Sequence, residues 1–311
     1  MPHVGVIGTG AMGQHHVRIY SEMDDVELVG ISDVDEKRVG ELASHYNTLP
    51  FTDYNEMLAQ DLDAVSIVVP TMLHRQVALD AIAAGTNVLI EKPIADTVEN
   101  ANAMISASQD AGLTLMVGHI ERFNPAVTKM KEIIDNGLLG KVVSISTRRV
   151  GPYNPRIRDV GIILDLGVHD IDVISYLYGN KISEVYAIAG KDIHSQEDHA
   201  SIMLKFNGDK AGVVDTNWLT PHKVRKMSVI GIDGVAYLDY NEQTVSIHDG
   251  EWIREAKIEK AEPLKRELEH FMDAVRTGDY PIVTGEDGKH ALEVALAAIE
   301  SYKSGQIIRM G

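Results

Sequence analysis

His3-Val4-Gly5-Val6-Ile7-Gly8-Thr9-Gly10-Ala11-Met12-Gly13 packs an apolar run and three glycines at Gly-x-Gly-x-x-Gly spacing into eleven residues. Such a triplet alone is a weak signal, because turn glycines produce it by chance. Here it follows the strand-like run Val4–Ile7, opens a helical stretch (Gly13–Met23), and lies in a βαβ unit closed by the apolar run Val26–Ser32. Gly8 permits the tight turn, Gly10 lets the backbone approach a pyrophosphate, and Gly13 allows close helix–strand packing. The helix N-terminus supplies N–H donors and positive potential. Thr9, Ala11 and Met12 complete the turn. Asp33 stands 20 positions beyond Gly13, at the end of the second strand. It is expected to accept hydrogen bonds from the adenosine ribose hydroxyls, with Val34 and Arg38 beside it. That disfavours a 2′-phosphate, so the cofactor expected is NAD rather than NADP, although Lys37 and Arg38 leave dual specificity open.

Outward from this stretch, short apolar runs alternate with helical segments. The strands read as His3–Ile7, Val26–Ser32, Ala64–Val69, Asn87–Ile90 and Leu113–Val117. The helices read as Gly13–Met23, Glu36–Tyr46, His74–Ala84 and Val98–Ala111. Nearly continuous apolar strands between helices predict an α/β, Rossmann-type, doubly wound parallel sheet over residues 1–120. After Gly118 the rhythm changes. A helix (Pro125–Asn136), a strand (Lys141–Val150), a helix (Leu164–Leu177) and a series of strands from Ile182 to Ile258 follow, linked by turns such as Asn207-Gly208-Asp209. Residues 121–311 are therefore expected to form an α+β domain with a large, mostly antiparallel sheet and helices on one side. The last helix, about 286–304, is expected to pack back on the first domain.

With 311 residues, 44% hydrophobic and 24% charged, the chain has an ordinary globular composition. Its net charge of -17 argues against nucleic acid or an anionic membrane as partner. No apolar stretch approaches the ~20 residues of a membrane span, and the start lacks a signal-peptide pattern. The chain has no cysteine, so disulfides, thiolate zinc sites and Cys nucleophiles are excluded; a cytoplasmic protein is expected. The histidines offer no paired metal-ligand spacing, and no metal is expected. His15 and His16 read as helix-surface or cofactor-neighbouring residues.

Two further segments carry chemistry. Leu89-Ile90-Glu91-Lys92-Pro93 puts a charged pair at the carboxyl end of an apolar strand, where doubly wound sheets bind ligands. A lysine there can stabilise a developing alkoxide; a solvated Glu–Lys pair at a loop mouth fits the spacing equally well. In the Leu164–Leu177 helix, Asp165, His169, Asp172 and Tyr176 form one polar stripe on an otherwise apolar cylinder. His169 could take a hydroxyl proton near neutral pH while a carboxylate fixes its tautomer; a solvent-facing stripe is the alternative. Finally, residues 137–158 contain no acid but hold Lys141, Arg148, Arg149, Arg156 and Arg158, with Arg122 nearby in sequence. Arginines suit phosphate oxygens, unless they pair with acids elsewhere in the fold.

Together, the Gly8–Gly13 turn with Asp33, Pro70-Thr71-Met72-Leu73-His74 through Glu91-Lys92-Pro93, and Leu164-Asp165-Leu166-Gly167-Val168-His169 resemble the glucose–fructose oxidoreductase / inositol dehydrogenase / MocA family, over essentially the whole chain. The resemblance implies NAD(P)-linked chemistry at a sugar or cyclitol hydroxyl, with Lys92, Asp165 and His169 as catalytic residues. It places Pro70, Thr71, His74, Glu91 and Lys92 beside the cofactor. It also implies an open-faced C-terminal sheet serving a homodimer or homotetramer. Gly118–Pro125 and Arg156–Gly161 look most like the nucleotide-sugar branch, the UDP-N-acetylglucosamine 3-dehydrogenases. Arg122, Asn124, Tyr153, Arg156 and Arg158 are then the expected contacts of a nucleotide-sugar substrate. A cyclitol or free-sugar dehydrogenase, and a non-catalytic NAD-binding regulator, are the competing expectations.

Overall fold

The structure, a computed structural model, describes residues 1–153 and 160–311. The chain divides into two compact units: Met1–Ile120 with Leu264–Lys289, and Glu121–Pro263 with His290–Gly311. No helix among the described residues is long and apolar enough to cross a membrane.

The first unit holds β1 (His3–Ile7), α1 (Ala11–Ser21), β2 (Glu27–Ser32), α2 (Glu36–Tyr46), β3 (Leu49–Phe51), α3 (Tyr54–Leu58), β4 (Ala64–Ile67), α4 (His74–Ala83), β5 (Asn87–Glu91), α5 (Val98–Ala111) and β6 (Leu115–Gly118). Its six strands lie in the order β3-β2-β1-β4-β5-β6, all parallel. This is the doubly wound arrangement expected from the alternating pattern, with its switch point between β1 and β4. Residues of β1, β4 and β5 are buried on both faces, as near-continuous apolar runs require. The sequence reading missed β3: it is three residues long with a proline, tolerable because it sits at the sheet edge. Side-chain caps from Asp35 and Thr97 start α2 and α5, and Gly112 ends α5 in a left-handed conformation.

The second unit contains α6 (Pro125–Asp135), β7 (Val142–Pro152), α7 (Val168–Tyr178), β8 (Ile182–Gly190), β9 (His199–Phe206), β10 (Lys210–Asn217), β11 (Leu219–Gly231), β12 (Val235–Asp239), β13 (Thr244–His248) and β14 (Ile253–Glu255). The chain then runs through α8 (Pro263–Thr277) and the start of α9 (Gly285–Ser304), both in the first unit. It ends with the rest of α9 and β15 (Ile308–Arg309) in the second. The nine strands run β14-β13-β12-β11-β7-β10-β9-β8-β15, antiparallel except for the β7–β10 pair. Strict alternation along β9, buried at Ala200, Ile202, Leu204 and Phe206, puts one sheet face into a core with α6, α7 and α9 residues such as Met130, Ile171, Ile174 and Val294.

Candidate active site

The glycine turn after β1 has the expected geometry. Gly8 adopts φ +95°, and a Cβ on it would run into the Val68 carbonyl. A Cβ on Gly13 would collide with the Gly8 carbonyl, so only glycine lets α1 pack this close to the strand. Gly10 differs: nothing lies within 4 Å of where its Cβ would be. Helix α1 begins at Ala11 with no side-chain cap and no acid in its first turn. Open space above an uncapped helix N-terminus fits an anionic pyrophosphate. Val34 is 92% exposed, offering apolar surface beside Asp33 for an adenine ring. The residues present therefore fit a dinucleotide.

Asp33 is more occupied than expected. Its Oδ2 accepts the Thr9 N–H at 2.8 Å and the Thr9 hydroxyl at 2.9 Å; its Oδ1 accepts the Asp35 N–H at 3.0 Å and the Arg38 guanidinium at 2.9 Å. Burial pushes its pKa up, but these donors outweigh that and hold it below the usual carboxylate range. A carboxylate has about four lone-pair sites, so a ribose hydroxyl reaches this one by displacing a donor. Arg38, whose side chain is 41% exposed, is the donor able to move. Thr9, expected against the cofactor, is buried and spends its donors on Asp33.

At the ends of β4 and β5 the expected cofactor contacts divide. Pro70 is exposed, and Thr71 opens a short 3-10 turn (Thr71–Leu73). His74 is a correction to the expectation. It is buried, with Nε2 3.0 Å from the Val69 carbonyl and Nδ1 3.0 Å from that of Pro93. Burial lowers its pKa against the pull of those carbonyls. The ring ties the loop after β4 to the loop after β5, a packing role. Glu91 is likewise turned inward, with Oε1 3.2 Å from Nε2 of the fully buried His16. His16 is thus not a helix-surface residue. It shares a helical face with Gly13, Val17 and Tyr20, all buried, a spacing visible in the sequence. Lys92 follows at the strand end and is half-buried.

In the second unit, Asp165 lies in a single π-helical turn (Ile163–Gly167) that runs directly into α7, and His169 lies in the first turn of α7. Both are half-buried, while Gly167, Val168 and Asp170 are buried. Single π turns inside helices occur often at functional sites. The expected polar stripe does not continue along α7. Asp172 is buried in a bidentate pair with Arg122, Nε to Oδ2 at 2.9 Å and Nη2 to Oδ1 at 2.6 Å. Tyr176 lies under the same guanidinium, 4.9 Å from ring centroid to Cζ. Arg122, expected to meet a substrate phosphate, is thereby committed to the fold.

The basic run is answered in the same way. Arg149 is fully buried, donating to Asp170 at 3.1 Å through Nε and Nη2 and to Glu121 at 2.6 Å through Nη1. Arg225 stands 3.7 Å from the same Glu121 carboxylate. Burial opposes the Arg149 charge, yet Asp170 and Glu121 hold its pKa well above the ordinary value. Burial also pushes the Asp170 carboxyl up, against Arg149. Arg148 lies 3.4 Å from Asp215. The acids come from β10, α7 and the turn before α6, so no local reading of the basic run could show them. Asn124 is also structural: its Oδ1 caps α6 through the Ala126 N–H at 3.0 Å, and its amide donates to the Tyr240 carbonyl. Tyr153 stacks on His194, centroids 3.7 Å apart, beside Trp218. Arg156 and Arg158 lie outside the described residues.

A loop the sequence reading did not single out is built on Asp198. Its buried Oδ2 accepts the N–H groups of Asp192, Ile193 and His194, and its Oδ1 meets His199 Nδ1 at 2.9 Å. Burial works to raise its pKa, but these bonds pull it down to about 2.

Residues 3–119 match the family described as "Oxidoreductase family, NAD-binding Rossmann fold", and residues 127–237 match the C-terminal domain of the same group. The UDP-N-acetylglucosamine 3-dehydrogenase of Acidithiobacillus ferrooxidans is 29% identical, over 96% of this chain and 97% of its own. A solved structure of that enzyme superposes with a TM-score of 0.91 at 28% identity, covering 97% of this chain and 98% of its own. The myo-inositol 2-dehydrogenase of Thermotoga maritima is also 29% identical, over 99% of this chain and 98% of its own.

Proposed function

Because this chain belongs to the glucose–fructose oxidoreductase / inositol dehydrogenase / MocA family of oxidoreductases, we propose that it is an NAD-dependent dehydrogenase of UDP-N-acetylglucosamine, oxidising the C3 hydroxyl to a ketone. The observation that carries this reading is the full-length similarity to the Acidithiobacillus enzyme. Bound NAD supplies the hydride acceptor. His169 takes the hydroxyl proton, Asp165 orients the imidazole or the sugar, and Lys92 stabilises the developing alkoxide. NAD is preferred because the Asp33 carboxylate disfavours a 2′-phosphate, with Arg38 the group that would tolerate one.

A second reading, a cyclitol dehydrogenase, draws on a specific feature: Arg122 and Arg149 are neutralised by Asp172, Asp170 and Glu121, and a neutral ring needs no phosphate clamp. NADH absorbance followed with UDP-N-acetylglucosamine and myo-inositol, each with NAD and NADP, separates the two. Turnover of the UDP-sugar with NAD is expected. Turnover of myo-inositol alone would replace the first reading by the second, and no NADH from either would return the chain to a non-catalytic NAD-binding role.

We also propose that the outer face of the nine-stranded sheet docks a second copy of this chain. Met203, Ile188 and Tyr237 are 59%, 64% and 49% exposed there, around small residues such as Ser146 and Ser228. Such an exposed, partly apolar face is unusual on a monomer. Light scattering is expected to give a dimer or tetramer that Met203→Asp with Tyr237→Asp reduces to monomer; a monomeric unmodified protein would sink the idea.

A further inference from the structure

Glu91 bridges two parts of the first unit that the dinucleotide must align. Its Oε1 meets Nε2 of His16, on the helix that begins at the glycine turn, at 3.2 Å. Its Oε2 accepts the backbone N–H of Lys92 at 3.2 Å. Room for the carboxylate comes from β6, where a Cβ on Gly118 would stand 3.2 Å from it. Burial works to raise the Glu91 pKa; the hydrogen bond and charge of His16, and then the charge and N–H of Lys92, bring it below the usual value. The group is therefore a buried anion. His16 is completely buried, and its Nδ1 has no hydrogen-bond partner among the described residues. With a proton on Nε2 the ring donates to the carboxylate. A buried pair of this kind costs desolvation that an apolar pair would not, so its stabilising value is small. Its geometric value is larger: it locks the turn that carries Lys92 to the helix that faces the cofactor.

We propose that His16 and Glu91 are positioning residues for hydride transfer, setting the aim of Lys92 relative to helix α1. The proposal rests on the reading of Lys92 as the group that stabilises the alkoxide. It predicts that the pair acts on turnover and not on dinucleotide affinity, because neither side chain reaches the open space above Gly10.

The test compares His16→Leu, His16→Gln, Glu91→Gln and Lys92→Ala, alone and as doubles with Lys92→Ala. It uses the full chain, with UDP-N-acetylglucosamine or myo-inositol as substrate and NAD affinity read by fluorescence. His16→Leu should lower kcat about ten- to a hundred-fold, the usual effect of a misplaced catalytic group, with the NAD Kd unchanged. His16→Gln, which retains a donor at the Nε2 position, should recover most of the loss. In the Lys92→Ala background the His16 change should cost nothing more. A substrate-free readout is the rate at which cyanate modifies Lys92, followed by mass spectrometry against the other lysines. It should change several-fold in His16→Leu and return in His16→Gln. Additive losses in the double variant, or an unchanged cyanate rate, would overturn the proposal. Should His16→Leu fail to fold, the Glu91→Gln and Lys92→Ala cycle distinguishes coupled from additive losses in the same way. Full turnover in Lys92→Ala alone would instead remove the reading of Lys92, a distinguishable outcome.

Discussion

Replacing His169 by Ala is expected to lower kcat by roughly 10²–10⁴, the usual weight of a general base, with little change in the melting temperature. His169 is half-buried at the start of α7, directly after the π turn that carries Asp165. The other acids on this helix, Asp170 and Asp172, pair with Arg149 and Arg122, and Asp165 is the carboxylate that the family resemblance assigns to the imidazole or the sugar. Loss of the imidazole removes a proton acceptor and little buried apolar surface, so the effect belongs in turnover and not in stability. Steady-state kinetics beside a thermal melt checks this. Undiminished turnover would move the proton-accepting role to another group, with Lys92 next in line.

Arg149→Met is expected to do the opposite: to destabilise the fold by about 3–5 kcal/mol, the usual cost of leaving a buried charge without its partner. Arg149 is 2% exposed and holds Glu121 and Asp170 at once. Without it, the buried Asp170 and Glu121 carboxyls lose their shared partner beside the Tyr240 ring, which lies 4.9 Å from the guanidinium, although Arg225 still stands 3.7 Å from Glu121. The Asp170 pKa, already raised by burial, must rise further. A carboxyl whose folded-state pKa exceeds its unfolded value favours the fold while protonated and opposes it as pH rises through the folded value. The deficit should therefore be smallest in acid and grow toward neutral pH. Urea denaturation across that range measures it. Adding Glu121→Gln and Asp170→Asn should restore much of the stability, because the uncompensated charges are then gone; a deficit that ignores pH would mean the cluster is not ionic.

The same cluster explains why the sequence misled in one place. An acid-free run containing Arg148 and Arg149 looks like an anion site when read locally. Folding brings Glu121 and Asp170 to the buried Arg149 and Asp215 to the exposed Arg148 from other elements, so these two charges have acidic partners that the local sequence does not show. The family resemblance places His74 and Glu91 beside the cofactor; in the fold their polar atoms meet backbone carbonyls and His16.

What the sequence by itself determined was the framework. Short apolar runs alternating with helical segments read as buried parallel strands, and the glycine spacing after the first of them reads as the turn where the fold leaves no room for a Cβ at Gly8 and Gly13. Both constraints act over a few residues, so both are written locally. Only the tertiary structure decided which polar groups remain available for chemistry. A side chain's partner is set by which elements pack together, over separations of 50 residues for Arg122 and Asp172 or 75 for His16 and Glu91, and burial then makes that pairing obligatory.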